Sequence, residues 1–200
     1  MKDMAIHSTT SLDHLFKNSS KAKERNTFPS LLIKYVKDPG SAITHFIGMV
    51  MAMGASIPLL IKASNQPDPL YLISMSVYSL SLILLYAAST TYHTFDRSER
   101  VNTVLKKIDH MMISVLIAGS YTPICLLILN RKTGVVLLGI VWGIALIGIL
   151  IKAFWIYCPK WVSSILYIGM GWTCVLAFTQ IYHACLLYTS DAADDSLRVD

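Results

Sequence analysis

LYLISMSVYSLSLILLYAASTTYH, residues 70–93, decides the fold. It contains no Asp, Glu, Lys or Arg, and as a helix its 24 residues cover the hydrocarbon core of a bilayer, which takes about 20 residues. It ends on Ser89 and His93, four residues apart, a spacing that stacks the two side chains one turn from each other on a helix face. Beyond it come a charged stretch, Thr94 to Lys107, and then Asp109 and His110 at the start of another apolar run.

Outward from this stretch the pattern repeats. Apolar runs at 41–62, 108–129, 134–153 and 161–183 join 70–93 to make five expected spans. Of the 200 residues, 54% are hydrophobic and 14% charged, against about a quarter charged in a soluble domain. The expectation is an all-α, polytopic transmembrane helical bundle. The four cysteines show no Cys-x-x-Cys spacing, so neither a disulfide framework nor a cysteine-type zinc site is expected. Residues 1–33 read as a polar cytosolic tail, with some helix over 11–23 and with His7 and His14 as solvated side chains. Asp38-Pro39-Gly40-Ser41 breaks the chain and starts the first span, with Ser41 as the expected N-cap.

The net charge is +5, but the basic residues are dispersed between spans, which argues against a nucleic-acid partner and leaves membrane lipids. Thirteen Lys and Arg fall on one side: seven in the tail and its extension to Lys37, Arg97, Arg100, Lys106 and Lys107 in the second connection, and Lys152 and Lys160 around the fourth. Lys62, Arg131 and Lys132 make three on the other. The positive-inside rule then places the N-terminus in the cytosol of a multi-pass cell-membrane protein, and puts His45, His93, Asp109 and His110 at one cytosolic level. Nothing in the sequence sets an oligomeric state.

Ionisable residues at a membrane edge imply partners. Three readings stand side by side: a hydrogen-bonded helix pair, a metal site built on neutral imidazole, and a proton or substrate relay. In the third span, Gly119-Ser120-Tyr121-Thr122-Pro123 predicts a proline kink whose freed backbone groups Ser and Thr re-satisfy.

Three motifs carry a family resemblance. They are Asp38-Pro-Gly-Ser41-Ala-Ile-Thr44-His45 at the first span, Ser89-x-x-x-His93-x-Phe95 at the end of the second, and Lys107-Ile-Asp109-His110 leading to Gly119–Pro123. Together, over residues 34–183, they resemble the hemolysin III family, within the progestin and adipoQ receptor superfamily of seven-helix membrane proteins. The resemblance implies that His93 is a zinc ligand, that Asp109 holds the zinc-bound water, and that Ser89 lies beneath. Asp109 and Ser89 are then the catalytic candidates of a membrane hydrolase acting on a lipid amide or related bond. A non-enzymatic protein with a cytolytic, permeabilising or membrane-homeostasis role, and a receptor-like sensor, are the other functions it implies.

The family's remaining ligands lie in a His-x-x-x-His motif on a seventh span. This sequence lacks that motif, and His183 is expected at the opposite membrane face. The expectation is therefore five spans of seven over residues 34–184, an incomplete zinc site and an inactive fragment. Residues 185–200, polar and acidic, read as a non-native tail resembling adapter read-through.

Overall fold

The structure, a computed structural model, describes residues 36–155 and 159–197. The tail 1–33, with His7 and His14, lies outside them, as do Tyr157, Cys158 and residues 198–200. No strand occurs among the described residues. Helix α1 is Pro39–Ser64, α2 Pro69–Thr94 and α3 Glu99–Pro123, which runs on into a π-helical turn, Ile124–Ile128. Helix α4 is Arg131–Phe154, α5 Lys160–Trp172, then a 3-10 turn Thr173–Ala177 and α6 Phe178–Leu197. Five segments are long and apolar enough to cross a membrane: 39–64, 69–94, 99–128, 131–154 and 161–187. A polytopic helical bundle is what the sequence predicts.

Local chemistry sets the starts. Proline is the first residue of both α1 and α2, where its missing N–H is no loss. Asp68 caps α2 by accepting from the Leu70 N–H at 2.9 Å. Asp38, rather than the expected Ser41, is the N-cap of α1, and the Ser41 hydroxyl donates to its carboxylate at 2.8 Å. The third helix starts nine residues before the expected 108, because Ser98 accepts from the Val101 N–H and Glu99 sits in the first turn, where a negative charge suits the helix dipole. Most of the expected second loop is thus the start of α3. The helix also runs without a break across the expected boundary at 184/185, to Leu197.

Consecutive helices pack side by side, α1 on α2, α2 on α3 and α3 on α4, with α5 against α3 and α4. Large apolar side chains such as Met51, Leu80, Val136 and Ile165 face outward, while every buried residue of α2 is a serine: Ser74, Ser79, Ser81 and Ser89. Lipid tails are as apolar as leucine, so helices in a bilayer gain by bringing small residues together rather than by burying large ones. The densest core, with Ala118, Val141, Ala145 and Met170, lies between α3, α4 and α5.

Two polar ties fix the last helices. The Tyr121 hydroxyl of α3 reaches the carbonyls of Met170 and Gly171, at 3.0 and 2.9 Å. Gln180 of α6 accepts from the Asn130 N–H and donates to Thr133 Oγ1, both at 3.1 Å, at the start of α4. Gln180→Leu loses both bonds and is expected to lower stability by about 1 kcal/mol, given about 0.6 per bond in membrane bundles. Thermal unfolding in detergent checks it, and a midpoint equal to wild type would count against the tie.

Candidate functional site

The start of α1 and the end of α2 are stitched by backbone: the Asp38 N–H donates to the His93 carbonyl at 3.0 Å and the Lys37 N–H to that of Thr94 at 3.4 Å. Antiparallel packing thus sets two residues 55 positions apart against each other. On this frame the His93 Nδ1–H donates to Asp38 Oδ2 at 3.2 Å. The His93 ring meets His45 edge to face, centroids 5.5 Å apart and planes at 85°, and also contacts Tyr92 at 4.9 Å. One turn below, His45 Nδ1 and Ser89 Oγ share a hydrogen bond at 2.5 Å.

Ser89 and His93 therefore share a helix face but do not bond each other. Each reaches across to α1, Ser89 to His45 and His93 to Asp38. Asp38 and His45 are members of this cluster to which residue patterns assigned no role. The spacing Asp38-x-x-Ser41-x-x-Thr44-His45 was the signal, since it places acid and imidazole two helical turns apart.

Asp109 stands apart from that cluster. Its side chain is 14% exposed, it pairs with His110 Nδ1 at 3.9 Å, and it bonds to none of Asp38, His45, Ser89 or His93. His110 Nδ1–H donates mainly along its own helix, to the Lys106 carbonyl at 2.7 Å. His183 is exposed and meets Tyr182 edge to face, just beyond Gln180 at the opposite end of the bundle from Asp38.

The His93–Asp38 contact has the form that orients a metal-binding imidazole. With Nδ1–H given to a carboxylate, the neutral ring keeps its lone pair on Nε2, and Nε2 forms no hydrogen bond among the described residues. A tetrahedral zinc site needs three or four donors. No group of three His, Cys, Asp or Glu side chains converges among the described residues, so one donor fits and a full set is not present there.

The Ser41 hydroxyl first, and the nearby His93 ring after it, hold the Asp38 carboxyl below its ordinary 3.8 against an opposing push from desolvation. A carboxylate held lower in the folded state contributes its full share above the unfolded value and loses it as pH falls through the folded one. The α1–α2 clamp is therefore expected to be complete above pH 3.8 and to open below it. The acid limb of thermal stability should be shallower in Asp38→Asn than in wild type, and superimposable limbs would sink the assignment.

Three comparisons with known proteins bear on the chain. A family model described as Haemolysin-III related matches residues 33–196. The Hemolysin-3 homolog of Bacillus subtilis (strain 168) is 37% identical over 142 residues, which is 71% of this chain and 66% of that protein. Hemolysin-3 of Bacillus cereus is 36% identical over 154 residues, 76% of this chain and 69% of that one. The chain spans about two thirds of the length of these relatives.

Proposed function

The chain belongs to the haemolysin III family, and from that premise we propose that it is a cell-membrane protein, N-terminus cytosolic, whose His93 is one donor of a zinc site serving a membrane hydrolase. The observation that carries this reading is the His93 Nδ1 contact with Asp38, which leaves Nε2 as the nitrogen with a free lone pair. Bound zinc supplies such a site with a water of lowered pKa. Asp38 fixes the tautomer and aim of His93, and Ser89 positions His45 beneath it. Asp109, to which the family resemblance gives the water-orienting role, stands apart from these groups and would take that role only once the further donors complete the site. The substrate class is a lipid amide or related bond.

The six histidines of this sequence include no pair four apart, so the further donors come from outside it. By itself the chain is inactive and holds zinc weakly. Zinc titration of the purified chain tests this: weak uptake is expected, abolished by His93→Ala and weakened about 10–100-fold by Asp38→Ala, as for other partners of ligating imidazoles. Uptake indifferent to His93→Ala would overturn the reading. A second reading, a membrane-permeabilising protein, is favoured by the name hemolysin-3 that both relatives bear. Dye release from vesicles that neither a chelator nor His93→Ala alters would select it.

A further inference from the structure

A second polar cluster lies at the same end of the bundle and shares no residue with the His93 cluster. Lys106 and Lys107 of α3, Lys152 and Trp155 at the end of α4, and Ser163 and Tyr167 of α5 line a cavity of about 490 Å³. Three lysines line this space, and no carboxylate lines it among the described residues. Like charges gathered at a membrane edge repel one another and are costly to desolvate, so the arrangement calls for an anion. Lys107 Nζ spends one of its donors on the Ala153 carbonyl at 3.4 Å, which ties α3 to α4. The Tyr167 hydroxyl donates to the His110 carbonyl at 2.7 Å and fixes α5 as the third wall. The cavity is therefore held open by bonds among its own walls.

One atom in it is unsatisfied. Ser163 is 6% exposed, and its hydroxyl has no hydrogen-bond partner among the described residues. A buried hydroxyl without a partner is uncommon and marks a missing ligand or water. Ser163 lies in the first turns of α5, where backbone N–H groups and the helix dipole favour negative charge. Outside the cavity, Leu150 of α4 and Ile165 and Ile168 of α5 present exposed apolar surface.

We propose that this cavity binds a phosphate group, and specifically the phosphodiester headgroup of an anionic phospholipid. Lys106 and Lys152 supply the charge, the Ser163 hydroxyl donates to a phosphate oxygen, and the acyl chains lie along Leu150, Ile165 and Ile168. Basic cavities between spans on the Lys-rich side of a membrane suit this ligand. Trp155, half-exposed at the rim, sits at the headgroup level that tryptophan prefers.

Native mass spectrometry of the full purified chain tests the proposal, with dioleoylphosphatidylglycerol, dioleoylphosphatidylcholine and inorganic phosphate as separate probes. One phosphatidylglycerol is expected to stay bound in preference to phosphatidylcholine. The double variant Lys106→Gln, Lys152→Gln should weaken retention about 30-fold, from about fivefold per lysine near an anionic surface. Lys62→Gln, at the other end of α1, should leave it unchanged, and Ser163→Ala should lower it with the lysines intact. Phosphate binding lost in the double variant, without lipid retention, would assign the same cavity to a free phosphate. Equal retention of both lipids, or retention unchanged in the double variant, overturns the site. If the double variant aggregates, Lys152→Gln and Ser163→Ala carry the same comparison singly.

Discussion

Gly134→Ala is expected to destabilise the bundle by about 3 kcal/mol, at the upper end of what overpacking costs, while Gly139→Ala on the same helix is neutral or better. The difference originates at Pro123. A proline cannot donate to the carbonyl four residues back, and past it the chain widens into the π-helical turn Ile124–Ile128, closed by the Leu129 N–H on the Ile124 carbonyl at 3.2 Å. The turn brings the buried Cys125 carbonyl against the first turn of α4. A methyl group built on Gly134 would overlap that carbonyl oxygen, and would sit 3.0 Å from its carbon and 3.5 Å from Leu129 Cβ.

Backbone faces backbone there, so no side-chain rotation makes room. The start of α4 would have to move, breaking the Gly134 N–H bond to the Asn130 carbonyl at 2.8 Å and the grip of Gln180 on Asn130 and Thr133. Gly139 is exposed and has nothing within 4 Å of the same added atom, so alanine there gains helix propensity alone. Unfolding midpoints of the two variants in one detergent decide it. Equal midpoints would mean that the π turn yields, and that the close approach is not a constraint.

How far this molecule can be read from its sequence depends on which interactions are local. The five spans are legible because crossing a bilayer needs apolar length, which any window of residues 70–93 displays. Proline starts and the Asp68 cap are equally local. The early start of α3 hid behind its charges: Thr94 to Lys107 read as loop, although Ser98 and Glu99 form a helix start. An irregularity at Pro123 was foreseeable, while the π-helical turn Ile124–Ile128 that follows it was not.

The site divides the same way. The face shared by Ser89 and His93 follows from their spacing, but their partners, His45 and Asp38, lie on another helix and emerge only once α1 and α2 pack antiparallel. The serines of α2 show their role only in the packed bundle. Hydropathy counts them as interruptions of an apolar run, yet in lipid they are the contact surface.

That surface carries the last prediction: Ser81→Leu should cost about 3 kcal/mol or more, while Ser81→Ala costs about 0.6 kcal/mol or less. The Ser81 hydroxyl donates to the Tyr78 carbonyl of its own helix at 2.7 Å, so removing it breaks no bond between helices. What Ser81 contributes is small size. A Cβ placed on Gly119 of α3 would overlap Ser81 Oγ and lie 2.7 Å from Ser81 Cβ, so the two helices touch at backbone distance. Leucine at position 81 has no room there and must push α2 off α3. The stitch between α1 and α2 lies outside this seam, so Asp38 and His93 should remain paired and move with α2 as a unit. Ser81→Leu should therefore lower the unfolding midpoint and expose the Phe95–Ser98 connection to trypsin at Arg97, while the Asp38-dependent acid limb persists. Loss of that acid limb together with the midpoint would show α1, α2 and α3 to be one cooperative unit, with His93 held by the whole bundle rather than by its pairing with Asp38.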